Sequence, residues 1–242
     1  MIYLIDGSLD GVFTAVFNAF LTKTFPSAIS DGIVQLELGE ALVEIKTDSD
    51  KAQRVFNKLY KILPKKELDR VFIAIRSGDY AKFTVIFNYV VETIKENKDI
   101  HDKLSDKAVF NFDRLVSRVL LEAHRFKGFI RFSKAENGVY YAKYFPDSDI
   151  NTLILPHFIS RYKTMPFILH DLNHNVISAY YNGKTKTTKD KIAPLEIDDD
   201  FAKLFKIYYD SIFIKERANE RLMLNSMPKR YHKYLPEKDE LL

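Results

Sequence analysis

At 242 residues, with 46% hydrophobic and 29% charged side chains, the chain has a globular composition and room for one large domain or two small ones. The lack of any cysteine excludes disulfides, thiolate metal sites, iron–sulfur clusters and cysteine nucleophiles. A formal charge of +4 does not make a polycation, so any polyanion-binding surface must come from how the cations cluster.

Ile2 to Ile5 is a short apolar run ended by Asp6-Gly7, which predicts a buried strand and a turn. Ser8 then caps a helix whose Leu9, Val12, Phe13, Val16, Phe17 and Phe20 form one apolar stripe, ended by Pro26 and Ser30-Asp31-Gly32. Val34 to Leu38 and Leu42 to Lys46 read as two short strands around Gly39-Glu40-Ala41. Three helices follow: Ser49 to Leu63, a second presenting Leu68, Val71, Phe72 and Ile75, and a third presenting Phe83, Phe87, Val90, Val91 and Ile94. Residues 97–108 are the most polar stretch. They are the candidate hinge between subdomains 1–98 and 109–242 of a chain that otherwise reads as a single compact unit, 1–242. A fourth helix, Val109 to Arg125, turns Val109, Phe112, Val116, Val119, Leu120 and Ala123 inward and carries Arg114, Arg118, Glu122 and Arg125 on its other side.

The second half changes character. Gly128 to Ser133 and Val139 to Phe145 read as strands joined through Asn137-Gly138, a type I′ hairpin signal. Thr152 to Tyr162 reads as a helix, Phe167 to His170 and Val176 to Tyr181 as a second strand pair, and Thr185 to Thr188 as an edge strand after Asn182-Gly183. Helices from Asp199 to Arg217 and from Arg221 to Asn225 close the chain. Strands and helices do not alternate regularly, so the expected fold is α+β: a helical N-terminal half around a short sheet, an antiparallel strand-strand-helix-strand-strand unit, then C-terminal helices.

No Gly-rich phosphate loop occurs among the eight glycines, no Gly-x-Ser-x-Gly elbow is present, and neither a metal nor a cofactor is expected. His170, Asp171 and His174 could bracket a divalent ion in a turn, and Asp147 and Asp149 could ligate magnesium or cap the helix near Asn151. Glu122-Ala123-His124-Arg125 lies just before Gly128-Phe129-Ile130-Arg131-Phe132. There Arg125 and Arg131 could grip phosphates while Glu122 or His124 moves protons, or the group could lock helix to hairpin. Lys184 to Lys191 carries a local +3 and Lys215 to Lys233 a local +4. Between them, Glu196 to Asp200 carries a local −4. Met227-Pro228-Lys229-Arg230-Tyr231-His232-Lys233 interleaves cations with aromatics, which suits phosphate contact plus base stacking, or a packed arm with wet lysines.

Six stretches, in order along nearly the whole chain, resemble a bacterial family of DNA metabolism proteins built on a domain of unknown function. They are Asp6 to Gly11, Glu122 to Phe132, Tyr140 to Asp149, Leu155 to Phe158 with Arg161, Ile168 to Asp171, and Met227 to Tyr231. His232 departs from the family's closing motif, which has Trp there. The resemblance implies a DNA-repair setting, beside a radical-SAM DNA-repair protein and in relatives fused to uracil-DNA glycosylase, with no established reaction.

Function is therefore expected to be that of an accessory protein that binds DNA and acts with such a partner. Arg125, Arg131, Arg161, Lys229, Arg230, Tyr231 and Lys233 would form the nucleic-acid contacts. The alternative is a DNA-processing enzyme, a nuclease or base-processing activity, with Glu122, His124, Asp147, His157, His170 and Asp171 as its catalytic candidates. No basic leader precedes an apolar run at Met1 to Gly7 and no apolar stretch is long enough to cross a bilayer. The expected location is the cytoplasm, away from any membrane.

Overall fold

The computed structural model describes residues 1–32, 40–135, 138–191, 193–194, 221, 227–229 and 231. Contacts divide the chain into two compact units, Met1–Leu120 and Leu121–Leu242. The division falls inside a helix, and the polar 97–108 stretch lies within the first unit, where Ile100 is buried.

Unit 1 begins with β1 (Ile2–Leu4), α1 (Leu9–Thr22), β2 (Ala28–Ser30) and β3 (Leu42–Glu44). The turn from β1 into α1 shows why its residues are what they are. Ser8 Oγ accepts from Gly11 N at 2.9 Å, the helix cap expected from sequence. Asp6 Oδ1 receives the Ser8 N–H at 2.9 Å and the Ser8 hydroxyl at 2.6 Å, and Asp6 Oδ2 receives the Thr47 hydroxyl at 2.8 Å. Against the upward pull of burial, these bonds hold the Asp6 carboxyl below its ordinary pKa. A side chain on Gly11 would put its Cβ 2.5 Å from Asp6 Oδ1, so only glycine fits beneath that carboxylate.

The sheet order is β2-β1-β3, with both pairs parallel to β1. β2 occupies residues that the sequence marks only as the end of α1, and 34–38 lies outside the described residues. Helices α2 (Ser49–Ile62), α3 (Lys65–Ala74), α4 (Lys82–Glu96) and α5 (Lys107–Phe129) follow. Their inward residues, with Val12, Phe13 and Val16 of α1, make one apolar core, in which Tyr89 and Phe112 stack at 3.8 Å. Asp106 caps α5 by accepting from Ala108 N at 2.7 Å.

Unit 2 holds the end of α5, then β4 (Ser133–Lys134), β5 (Tyr140–Tyr144), α6 (Asn151–Arg161), β6 (Phe167–Asp171), β7 (Val176–Tyr181) and β8 (Lys184–Lys189). The sheet order is β4-β5-β6-β7-β8. The whole is an α+β architecture, as expected, and the strand-strand-helix-strand-strand unit is present with one difference. β5 and β6 pair in parallel, because α6 carries the chain back across the sheet between them. All other pairs are antiparallel. Asn182 and Gly183, at φ 46° and 76°, make the tight turn between β7 and β8.

Gly128 and Phe129, expected in a strand, instead continue α5. The aromatic ring of Phe126 packs on Tyr231 at 4.8 Å and that of Phe129 at 6.1 Å, which favours one more helical turn over an extended chain. Arg131 Nη1 then donates to Gly128 O at 2.6 Å, satisfying a carbonyl at the helix end. The C-terminal helices expected at 199–217 and 221–225 lie, Arg221 apart, outside the described residues. Among the described residues no helix is long and apolar enough to cross a membrane.

Candidate functional site

Glu122 leaves the polar side of α5 and is nonetheless buried. Its Oε1 accepts from Asp147 N at 2.8 Å and from the Tyr231 hydroxyl at 2.8 Å, and its Oε2 accepts from Ser148 N at 2.9 Å. Three donors satisfy a carboxylate that burial would otherwise penalise. The result is a fastener that holds the turn after β5 and the Tyr231 side chain to α5.

His124 stands two residues further along the same helix, faces another way, and is exposed. Asp147 turns its N–H to Glu122 while its residue is largely exposed. Arg125 is half-buried. Neither Asp147 nor Asp149 caps α6, whose N-cap is Ile150 with no side-chain bond; Asp149 instead lies 3.6 Å from Lys189 Nζ.

His170 and Asp171 are neighbours in β6 and therefore point to opposite faces of the sheet. His170 is buried, with Nδ1 2.8 Å from the Tyr141 hydroxyl. Burial lowers its pKa, only partly opposed by Asp171. Asp171 is fully buried and organises the turn into β7: Oδ1 accepts from Asn173 N at 3.0 Å and His174 N at 3.1 Å, and Oδ2 lies 2.9 Å from His174 Nδ1. His170 and Asp171 are thus not brought into one cleft. Among the described residues no group of three His, Cys, Asp or Glu side chains is placed to hold a metal ion.

A different arrangement appears on α6. His157 and Arg161 are one helical turn apart, and Lys127 of α5 stands near them. The His157 pKa is lowered by burial first, then by the nearby Lys127 and Arg161 cations. Among the described residues neither cation has a carboxylate partner; the Arg161 guanidinium lies 5.7 Å from the Tyr162 ring centroid. Sequence reasoning singled out His157 and Arg161 but not Lys127, which only the packing of α5 brings in. Arg131, engaged with the end of α5, is half-buried.

Of the closing basic cluster, Lys229 is exposed and Tyr231 is buried. The Tyr231 ring packs inside the unit and its hydroxyl is bound to Glu122, so it offers no face to a base. Arg230 and Lys233 lie outside the described residues.

Unit 1 contains a cluster that sequence reasoning did not single out. Arg70 Nη1 donates to Glu67 Oε2 at 2.8 Å and to His101 Nδ1 at 2.6 Å, and Nη2 donates to Asp113. His101 Nδ1 also lies 3.4 Å from Glu67 Oε2 and 3.7 Å from Asp113 Oδ1, so all four side chains meet at one point. The cluster borders a cleft of about 740 Å³ lined by Lys65, Lys66, Asp69, Ile73, Val116 and Leu120 among others. Glu67 and Arg70 at i, i+3 were the one visible signal; His101 and Asp113 arrive from distant chain.

The model of a family described as a domain of unknown function, DUF4130, matches residues 80–237, about two thirds of the chain. No curated protein matches the chain.

Proposed function

The chain belongs to this DUF4130 family of unknown function, and from that premise we propose that it is a DNA-binding accessory protein of DNA repair or DNA metabolism. Its partner would be a radical-SAM DNA-repair protein or a uracil-DNA glycosylase, the associations that the sequence resemblance implies.

The observation that carries this reading is the cluster of Lys127, His157 and Arg161 in unit 2. Arg161 lies one helical turn from His157 and Lys127 stands near it, adding to the lowering that burial imposes on the imidazole, and no carboxylate among the described residues answers either cation. Keeping like charges together costs free energy that a phosphate beside them would recover. All three residues fall in the stretches that carry the resemblance. The enzyme reading has less support. Glu122 is engaged by three donors, His170 and Asp171 are buried on opposite faces, and His124 looks away from Glu122.

The test is fluorescence anisotropy with labelled single- and double-stranded DNA, begun at low salt and titrated with salt. Affinity should fall steeply as salt rises. Lys127→Glu with Arg161→Glu should weaken duplex binding by about tenfold or more and flatten the salt slope by about two. Because a phosphate favours the protonated imidazole, binding should tighten as pH falls through the His157 titration, and His157→Gln should remove that dependence. Absence of binding to either DNA at low salt sinks the reading.

A further inference from the structure

The α2–α3 pair, residues 49–74, carries Lys51, Arg54, Lys58, Lys61, Lys65, Lys66 and Arg70 against Asp50, Glu67 and Asp69, a local +4 that equals the formal charge of the whole chain. Four of these cations are engaged. Arg70 holds Glu67 and Asp113, Lys58 donates to Asn97, Arg54 lies over the Phe17 ring at 4.8 Å, and Lys51 pairs with Asp48 at 3.7 Å. Lys61, Lys65 and Lys66 are exposed and have no carboxylate partner among the described residues.

The same two helices expose aromatic rings. Tyr60 is 68% exposed and Phe72 41% exposed. Half-buried Phe56 joins them, its ring centroid 6.2 Å from that of Tyr60 and 6.3 Å from that of Phe72. Asp69 and Ile73, beside Phe72 on α3, also line the cleft of about 740 Å³ into which Lys65 and Lys66 reach. Joined rings left in water beside unanswered cations suit a ligand that has both flat apolar faces and negative charge. A duplex keeps its base faces inside its own stack, whereas a single strand presents bases and phosphates together.

We propose that the α2–α3 surface of unit 1 is a second nucleic-acid site, specific for single strands. Bases stack on Tyr60 and Phe72 while Lys61, Lys65 and Lys66 meet the phosphates. The surface lies outside the family-matched residues 80–237 and shares no side chain with the cluster on α6.

The experiment compares the full chain with Tyr60→Ala/Phe72→Ala by anisotropy on an oligothymidylate and on a duplex, beside Lys127→Glu/Arg161→Glu. The double aromatic variant should lose about tenfold or more in single-strand affinity, since each stacked base contributes on that scale, and keep its duplex affinity. A strand carrying 2-aminopurine should be quenched on binding the parent chain and far less on the variant. Lys61→Glu/Lys65→Glu/Lys66→Glu should flatten the single-strand salt slope by about two. Tyr60→Ala alone repeats the test at the more exposed of the two rings if the double variant melts early. Unchanged single-strand affinity overturns the proposal. So does an equal loss on duplex, or loss of self-association in sedimentation with no change in DNA binding. Retained single-strand binding in the aromatic variant, with lost duplex binding in the α6 variant, sinks this site and leaves the other standing.

Discussion

The two units handle buried charge in opposite ways. In unit 1, charge answers charge: Arg70 sits between Glu67 and Asp113 with His101 against it. In unit 2, the buried carboxylates of Glu122 and Asp171 are satisfied largely by backbone N–H groups, a hydroxyl and an imidazole of their own surroundings. A buried ion pair is fragile to loss of either partner, because the survivor remains charged in a poor solvent. A carboxylate held by neutral donors fails differently: its removal strands several donors at once. Arg70 in unit 1 and Glu122 and Asp171 in unit 2 are internal fasteners. Among the described residues, α2–α3 and α6 both keep exposed cations that no carboxylate answers.

That contrast is easiest to break at its strongest points. Arg70→Ala leaves Glu67 and Asp113 without their cation and should destabilise the chain by about 3–5 kcal/mol in urea denaturation. Glu122→Ala strands the Asp147 and Ser148 N–H groups and the Tyr231 hydroxyl, and should cost about 3 kcal/mol by the same measurement. Tyr231→Phe removes one of those three bonds while keeping the ring against Phe126, and should cost only about 1 kcal/mol. A Tyr231→Phe loss as large as that of Glu122→Ala would mean that the hydroxyl bond to Glu122, and not the two backbone bonds, carries the clamp.

Much of this frame is legible in the residues. The apolar periodicity of α2 and α4, the Ser8 cap and the Asn182-Gly183 turn each depend on neighbours within one turn of chain. What the sequence hides depends on distant partners. β2 is three residues long and exists only through its parallel pairing with β1. The parallel register of β5 with β6 follows from how α6 crosses the sheet. α5 runs through Phe129 where packing against Tyr231 outweighs the exposed Gly128. The same rule divides the candidate site. Glu122 stands out beside His124 and Arg125, yet its donors come from the far side of a hairpin and from near the chain's end. His157 and Arg161 share a helix face, and Lys127 joins them from another helix.

The smallest expected effect is a matter of pH, and it separates the units by their histidines. Burial lowers the His170 pKa, so below the ordinary imidazole value near 6.5 the unfolded chain binds a proton that the folded unit resists. Stability from this residue is complete above that value and is lost as pH falls through the window beneath it, down to the folded-state pKa. The Tyr141 hydroxyl partners His170 in the buried neutral state, and His170→Gln keeps a polar group there without a titration. Urea midpoints measured across that window should fall for the parent chain and stay level for His170→Gln, after the background shared by both is subtracted. Equal slopes in the two proteins would mean that His170 charges without opening the sheet, and that the contrast between the units does not extend to protons.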